Sequence, residues 1–207
     1  MKSIKTGFPL KGVWQVITSP ADHIPSHYTT RLGMSHAFDF AKASDANIPL
    51  LSRLLGMPIE NCAGWGEDVF SPCDGEVVAL YSAVEDRPRL NGIIDFVSGL
   101  QTIFFSPKRT DYHFVFGNYL IVQSDAYYCL LAHLQNGSIQ VSVGDSISSG
   151  DLLAKVGHCG SSQLPHLHFQ IMDNEQLSIA NGLSVNFDLA VESHSEEWHV
   201  IHECIPA

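Results

Sequence analysis

Apolar and polar positions alternate with a period of two through much of the chain, in Gly12-Val-Trp-Gln-Val-Ile-Thr18, Gly75-Glu-Val-Val-Ala-Leu-Tyr81, Asn118-Tyr-Leu-Ile-Val-Gln123 and Ser138-Ile-Gln-Val-Ser-Val143. Residues two apart on an extended chain share a face, and these runs are rich in β-branched and aromatic residues, so each predicts a strand. Turn residues punctuate them at short intervals, at Pro72 to Gly75, Gln135-Asn-Gly137, Val143-Gly-Asp145, Ser149-Gly-Asp151 and Gly157 to Ser162. Short strands separated by such turns predict a mainly β, antiparallel sandwich or barrel. Two stretches break the rhythm. Asp45 to Met57 carries Ile48, Leu50, Leu51, Leu54 and Leu55 without strict alternation, as a short helix or a surface excursion would. Glu85 to Gly117, with Arg87-Pro-Arg89, Asn91-Gly92 and Pro107-Lys-Arg109, reads as an insertion between two strands, long enough to cover or narrow a site.

Composition sharpens this picture. At 207 residues, 45% of them hydrophobic, the chain can bury one core, and we expect a single domain over 1–207 with the insertion at about 85–117. Lys and Arg number 11 against 22 Asp and Glu, and a net charge of -11 repels a phosphate backbone, so no nucleic acid partner is expected. The longest apolar runs, such as Ile48 to Leu51 and Ile103 to Phe105, fall short of the roughly 18 to 20 residues that cross a bilayer, so no membrane span is expected. Pro9, Lys11 and Gln15 interrupt what would be the apolar region of a signal peptide after Lys2 and Lys5. The expectation is a cytoplasmic protein as written, or an exported one if a leader is missing. The five cysteines, Cys62, Cys73, Cys129, Cys159 and Cys204, show no CxxC spacing and imply neither a disulfide framework nor a cysteine zinc site. Nothing in the pattern specifies an oligomeric state.

The 11 histidines match Lys and Arg together in number. His194, His199 and His202 lie in an acidic, polar tail and read as solvated; His23 and His113 stand in polar surroundings without an evident partner. Pro165-His-Leu-His-Phe169 is different, because on a strand His166 and His168 point together while Leu167 and Phe169 point into the core. Two imidazoles on one face make a metal or acid–base site. Asp39 sits in the apolar run His36-Ala-Phe-Asp-Phe-Ala41, and a buried carboxylate must be paired, hydrogen-bonded or metal-bound. Ala37 and Ala41 share its face and leave space, whereas His36 shares the opposite face with Phe38 and Phe40. Alternation through Tyr127-Tyr-Cys-Leu-Leu-Ala-His133 puts His133 on the face of Cys129 and Leu131, the position of a core or strand-end histidine unless a neighbouring strand brings it to His166.

The stretch from Gly117 to Ile171, with Gly117-Asn-Tyr119, Ala132-His-Leu134, Gly137-Ser-Ile139, Val143-Gly-Asp145, Gly150, Val156-Gly157, Gly160 and Pro165-His-Leu-His-Phe169, resembles the core of the lysostaphin-type zinc metalloendopeptidases. Asp39-Phe40 and Ser71-Pro-Cys-Asp-Gly-Glu-Val77 are similar to upstream motifs of that family in order and spacing. The resemblance implies an antiparallel sheet with a barrel-sandwich hybrid around a groove. It implies one zinc ion per chain, with Asp39 and His168 as ligands and His133 and His166 as the catalytic pair that handles proton and charge. It further implies a peptide substrate in bacterial peptidoglycan, a glycine bridge or a D-amino-acid cross-link. The remaining ligand departs from the family's HxxxD spacing, since Ser35 stands four residues before Asp39. Two candidates replace it: His36, which a regular strand sends to the wrong face unless a bulge intervenes, and His27, in a loop without that constraint. The loop position favours His27. Tyr119 or Tyr128 would add a hydrogen-bond donor, although core packing accounts for either ring.

Two other classes carry different expectations. A histidine phosphocarrier, such as the similarly folded domain of sugar phosphotransferase systems, needs a nucleophilic histidine without a metal-binding acid beside it, and Asp39 argues against that. A non-catalytic peptidase-like regulator tends to lose ligand residues, whereas Asp39, His133, His166 and His168 all stand here.

Overall fold

A computed structural model describes residues 3–97, 112–187 and 200–201. Along the chain its strands are β1 (Ile4–Thr6), β2 (Trp14–Thr18), β3 (Phe38–Ala41), β4 (Met57–Pro58), β5 (Asp68–Phe70), β6 (Gly75–Tyr81), β7 (Arg89–Leu90) and β8 (Asn118–Gln123). They continue as β9 (Tyr128–Leu134), β10 (Ser146–Ile147), β11 (Leu152–Lys155), β12 (His166–Met172), β13 (Gly182–Leu183), β14 (Val185–Phe187) and β15 (Val200–Ile201). The main sheet runs β10-β6-β8-β9-β12-β3-β2-β15, with β13 added beside β12, and its pairs are antiparallel. Among the described residues three two-stranded pairs accompany it, of which β1 with β14 is parallel. The expected mainly β, antiparallel architecture is present.

Strand β12 lies between β9 and β3, and its register sets the geometry of everything that follows: His168 stands opposite Asp39 on one side and Ala132 on the other. All seven of its residues are buried. Leu167, Phe169 and Ile171 enter the main core with Phe40, Leu120, Val122, Leu131 and Leu153. Rings of Phe8, Phe40 and Phe187 meet there edge to face, with centroids 4.9 and 5.4 Å apart, the arrangement their quadrupoles favour. The opposite face of β12 presents His166, His168, Gln170 and Met172. Met172 packs with Leu32, Met34, Ala37, Val115, Phe116, Leu130 and Ala132 in a second cluster. A strand buried on both faces with three polar residues on one of them must satisfy every polar group internally.

The period-two reading holds for β2, β6 and β8 but fails for Ser138 to Val143, which is not a strand. Gln140 N donates to Leu153 O, but Ser138 N turns back to Gln135 O and Ser142 N to the Asp145 carboxylate, so local turn bonds take the donors a strand would need. Asp45 to Met57 resolves into short helices, Ala43–Ala46 and Leu50–Leu55. The described part of the insertion pairs β7 with β4, buries Leu90 against Ile59 and Cys62, and continues as a helical turn over 92–97. Residues 98–111 of the insertion, and the tail bearing His194, His199, His202 and Cys204, lie outside the described residues. Cys62, Cys73, Cys129 and Cys159 are buried free thiols. Among the described residues no helix is long and apolar enough to cross a membrane.

Candidate metal centre and cleft

Three side chains meet on the β3–β12 face. His27 comes from the loop before β3, and that loop is fastened by Ser26, whose N donates to Ser35 O and whose Oγ donates to Ala37 O at 2.8 Å. Asp39 comes from β3 and His168 from β12. One ligand atom from each lies within 4.8 Å of the others. Asp39 Oδ2 is 3.0 Å from His27 Nε2, and Asp39 Oδ1 is 2.9 Å from His168 Nδ1.

The far edge of each ring decides what the near edge offers. Gln170 Nε2 donates to Leu32 O at 2.7 Å, which turns its Oε1 to His168 Nε2 at 2.9 Å. An amide oxygen only accepts, so His168 carries its hydrogen on Nε2 and turns the Nδ1 lone pair to Asp39. Ser26 Oγ has committed its hydrogen to a backbone carbonyl, so at 3.2 Å from His27 Nδ1 it accepts from that nitrogen, and the Nε2 lone pair of His27 also faces Asp39. Burial pushes the His168 ring below the ordinary imidazole range, against the opposing pull of Asp39, and so favours its neutral form. Burial raises the Asp39 carboxyl, but the charges that His27 and His166 carry when protonated, and hydrogen bonds from His166 and His168, outweigh this and hold it well below the usual carboxylate range. With the two rings in these neutral tautomers, two imidazole lone pairs and a carboxylate converge without a hydrogen to share, a donor set that a cation between them would satisfy. Nitrogen and oxygen donors with their outer edges already oriented fit a divalent ion such as zinc.

Beside this cluster stand His133 and His166, with ring centroids 4.7 Å apart. The expected facing of His133 is corrected by the structure. Its φ is 60°, and the β8–β9 register shifts there, Asn118 pairing with Leu134 and Tyr119 with Ala132. This bulge returns Leu134 to the main core and swings the His133 ring to the face of His166 and His168. His133 Nδ1 donates to Cys159 O at 2.9 Å and His166 Nδ1 donates to Leu164 O at 2.7 Å, since carbonyls only accept. Both rings thus present Nε2 to the cleft. Burial, with His166 and His168 nearby, holds His133 well below the ordinary imidazole value. For His166 burial acts in the same direction, but Asp39, 3.4 Å from Nε2, outweighs it and raises the ring.

Gly117 and Gly160 close the back of the site. Both have positive φ, and a Cβ on Gly160 would fall on the Gly117 nitrogen and 2.7 Å from Val115 O, so only glycine lets these two backbones touch. Their contact holds the Cys159 carbonyl that His133 uses.

The cleft over these groups has a volume of about 320 Å³ and is walled by Ile17, Met34, Val115, Phe116 and Leu164 together with Tyr28 and Gln163. The structure brings together His27, Asp39, His133, His166 and His168. It leaves His36 out, with Nδ1 2.9 Å from Ser35 Oγ: the residue ends a 3-10 helical segment, Arg31–His36, before the strand Phe38–Ala41 begins, so strand parity does not govern it. Tyr119 and Tyr128 pack against the second core cluster rather than line the cleft. His23 packs on Tyr28 and His113 on Tyr81, at 4.3 and 4.7 Å. Sequence reasoning passed over Gln170 and Ser26. Gln170 carried a signal, being next in phase after His166 and His168; Ser26 carried none.

A family model described as peptidase family M23 matches residues 56–180. His133, His166 and His168 fall inside that segment, while His27 and Asp39 precede it. No curated protein matches the sequence. Among solved structures, a zinc-containing peptidase from Vibrio cholerae is 19% identical over 87% of this chain and 39% of its own, with a TM-score of 0.46. The M23 metalloprotease pseudoalterin, from the deep sea, is 13% identical over 98% of this chain and 92% of its own, with a TM-score of 0.49. Lysostaphin from Staphylococcus simulans is 17% identical over 86% of this chain and 46% of its own, with a TM-score of 0.43. The chain thus spans about two fifths of the length of the Vibrio protein.

Proposed function

The chain belongs to peptidase family M23, and from that premise we propose that it is a zinc-dependent endopeptidase hydrolysing a peptide bond in peptidoglycan cross-links or stem peptides. The observation that carries the reading is the convergence of the His27 and His168 lone pairs on the Asp39 carboxylate. His27 Nε2, Asp39 and His168 Nδ1 would hold the ion. When bound, zinc supplies a Lewis acid for the scissile carbonyl and lowers the pKa of water toward about 7.

The remaining work falls to the chain's own residues. His133, kept neutral with its hydrogen on Nδ1, accepts the proton of the attacking water at Nε2. His166, its Nδ1 tied to Leu164 O, turns Nε2 toward the carbonyl oxygen and donates to it as negative charge develops there. The apolar walls of Ile17, Val115, Phe116 and Leu164 exclude bulk water and strengthen both interactions.

Metal stoichiometry on purified protein tests the reading, with wild type beside His27→Ala, His36→Ala and Asp39→Ala. The expected result is one zinc per chain in wild type and His36→Ala, none in Asp39→Ala or His27→Ala, and cleavage of peptidoglycan fragments only by the zinc-loaded forms. Wild type that takes up no zinc on incubation with it, or zinc-loaded protein that releases no peptide, overturns it; inactivity with zinc intact leaves the regulator in its place.

A further inference from the structure

Behind the cleft a second buried polar chain runs from the inserted segment to His166. Asp95 Oδ1 accepts from Arg87 Nε at 3.0 Å and lies 3.2 Å from His158 Nε2; Asp95 Oδ2 accepts from Asn91 N at 2.6 Å. His158 Nδ1 is 3.2 Å from Ser162 Oγ, and Ser162 Oγ is 3.2 Å from His166 Nδ1. Asp95, His158 and Ser162 are all buried, and Arg87 closes the chain by donating to the carbonyls of Gly160 and Ser162. Burying four titratable or hydroxyl groups in series is costly, and a staple for the insertion needs fewer.

The direction of the chain follows from what each atom can do. Asp95 only accepts, so His158 carries its hydrogen on Nε2 and turns the Nδ1 lone pair to Ser162 Oγ and to Arg87 Nη2, 3.5 Å away. Ser162 has one hydrogen, shared between Leu164 O at 2.6 Å and His158 Nδ1, and keeps lone pairs for the Nδ1–H of His166. His166 is thereby held by two acceptors on one edge, Leu164 O and Ser162 Oγ. A flipped His166 ring would set C–H against both and take Nε2 out of the cleft.

We propose that Asp95, His158 and Ser162 are positioning residues that fix the His166 ring with Nε2 in the cleft, so that the inserted segment controls the geometry of the reaction. The inference rests on the endopeptidase reading for its kinetic consequence, but not for its structural one. It is tested with Asp95→Asn and Ser162→Ala, each nearly isosteric, in the full zinc-loaded chain. Two readouts are used: kcat and KM on a soluble peptidoglycan fragment, and ring 1H–15N correlation spectra of the folded proteins. The expected result is a fall in kcat of about tenfold with KM within about twofold and zinc content unchanged, as for a group that acts only in the transition state. The His166 Nδ1–H signal, sharp in wild type, broadens in Ser162→Ala. Unchanged kcat with an unchanged His166 signal in both variants overturns the proposal and leaves a staple for the insertion, whatever happens to the melting temperature. If wild type cleaves nothing, the endopeptidase reading falls by itself, and the His166 signal alone decides whether the ring is held.

Discussion

One left-handed backbone conformation decides which face of the sheet carries the His133 ring. With φ at 60°, this residue adopts a conformation that costs a side-chain-bearing residue about 1 to 2 kcal/mol, and without it alternation would send the imidazole into the main core beside Leu131. Hydrophobic patterning could not show this, because a bulge changes phase by a single residue and leaves the composition of the strand untouched. His166, His168 and Asp39 were legible for the opposite reason: they lie on regular strands, where parity alone assigns a face. His27 was legible only as a residue free of parity, through the failure of His36 to satisfy it. Gln170 belongs to the same scale. Its amide orients His168, so Gln170→Ala is expected to weaken zinc binding about 10- to 100-fold with the fold intact, measured by competition with a chromophoric chelator.

At the scale of elements, β12 joins core and site, since Leu167, Phe169 and Ile171 build the main core while His166, His168 and Gln170 build the site. Phe169→Ala, which empties a fully buried position among Phe38, Phe40 and Phe187, is expected to cost about 3 to 5 kcal/mol in denaturant unfolding. Leu55→Ala, at a position 75% exposed, is expected to change stability by less than about 0.5 kcal/mol. The strands that the sequence made visible are those with partners on both edges or a fully buried face. Ser138 to Val143 has the same alternation but spends its donors on Gln135 O and the Asp145 carboxylate, and no periodicity distinguishes a strand from an extended segment fastened by its own turns. The helices of Asp45 to Met57 were visible only as a loss of alternation.

Across the whole molecule, the polar groups that matter are joined by contacts between distant segments: Asp39 with His168, 129 residues apart, and Asp95 with His158, 63 apart. Such pairs leave no local signature, which is why the Asp95–His158–Ser162 chain was invisible in the sequence. Their titration nevertheless sets a property of the entire fold. Burial holds the rings of His133, His158 and His168 below the ordinary imidazole value, so unfolding takes up protons and stability falls as pH drops below about 6.5. His166 is raised instead; its contribution is complete below about 6.5 and is lost as pH climbs through its higher folded value. Chelator-treated protein should therefore melt highest near pH 6.5, and a melting temperature rising steadily from pH 6.5 to 8 would contradict the His166 assignment. Zinc, binding the folded state alone, should raise the melting temperature with its free concentration.

The two glycines behind the site carry a consequence for the protein's history. Gly117 and Gly160 touch so closely that no residue with a Cβ fits at either place, and the Cys159 carbonyl that sets the hydrogen of His133 rides on that contact. A histidine aimed by steric exclusion cannot be retuned by small substitutions, because there is no intermediate between glycine and a displaced backbone. Drift at the cleft walls can change the shape of the cleft one methyl group at a time. The direction in which His133 points is open to no such gradual change, and descendants of this chain either inherit it whole or lose it.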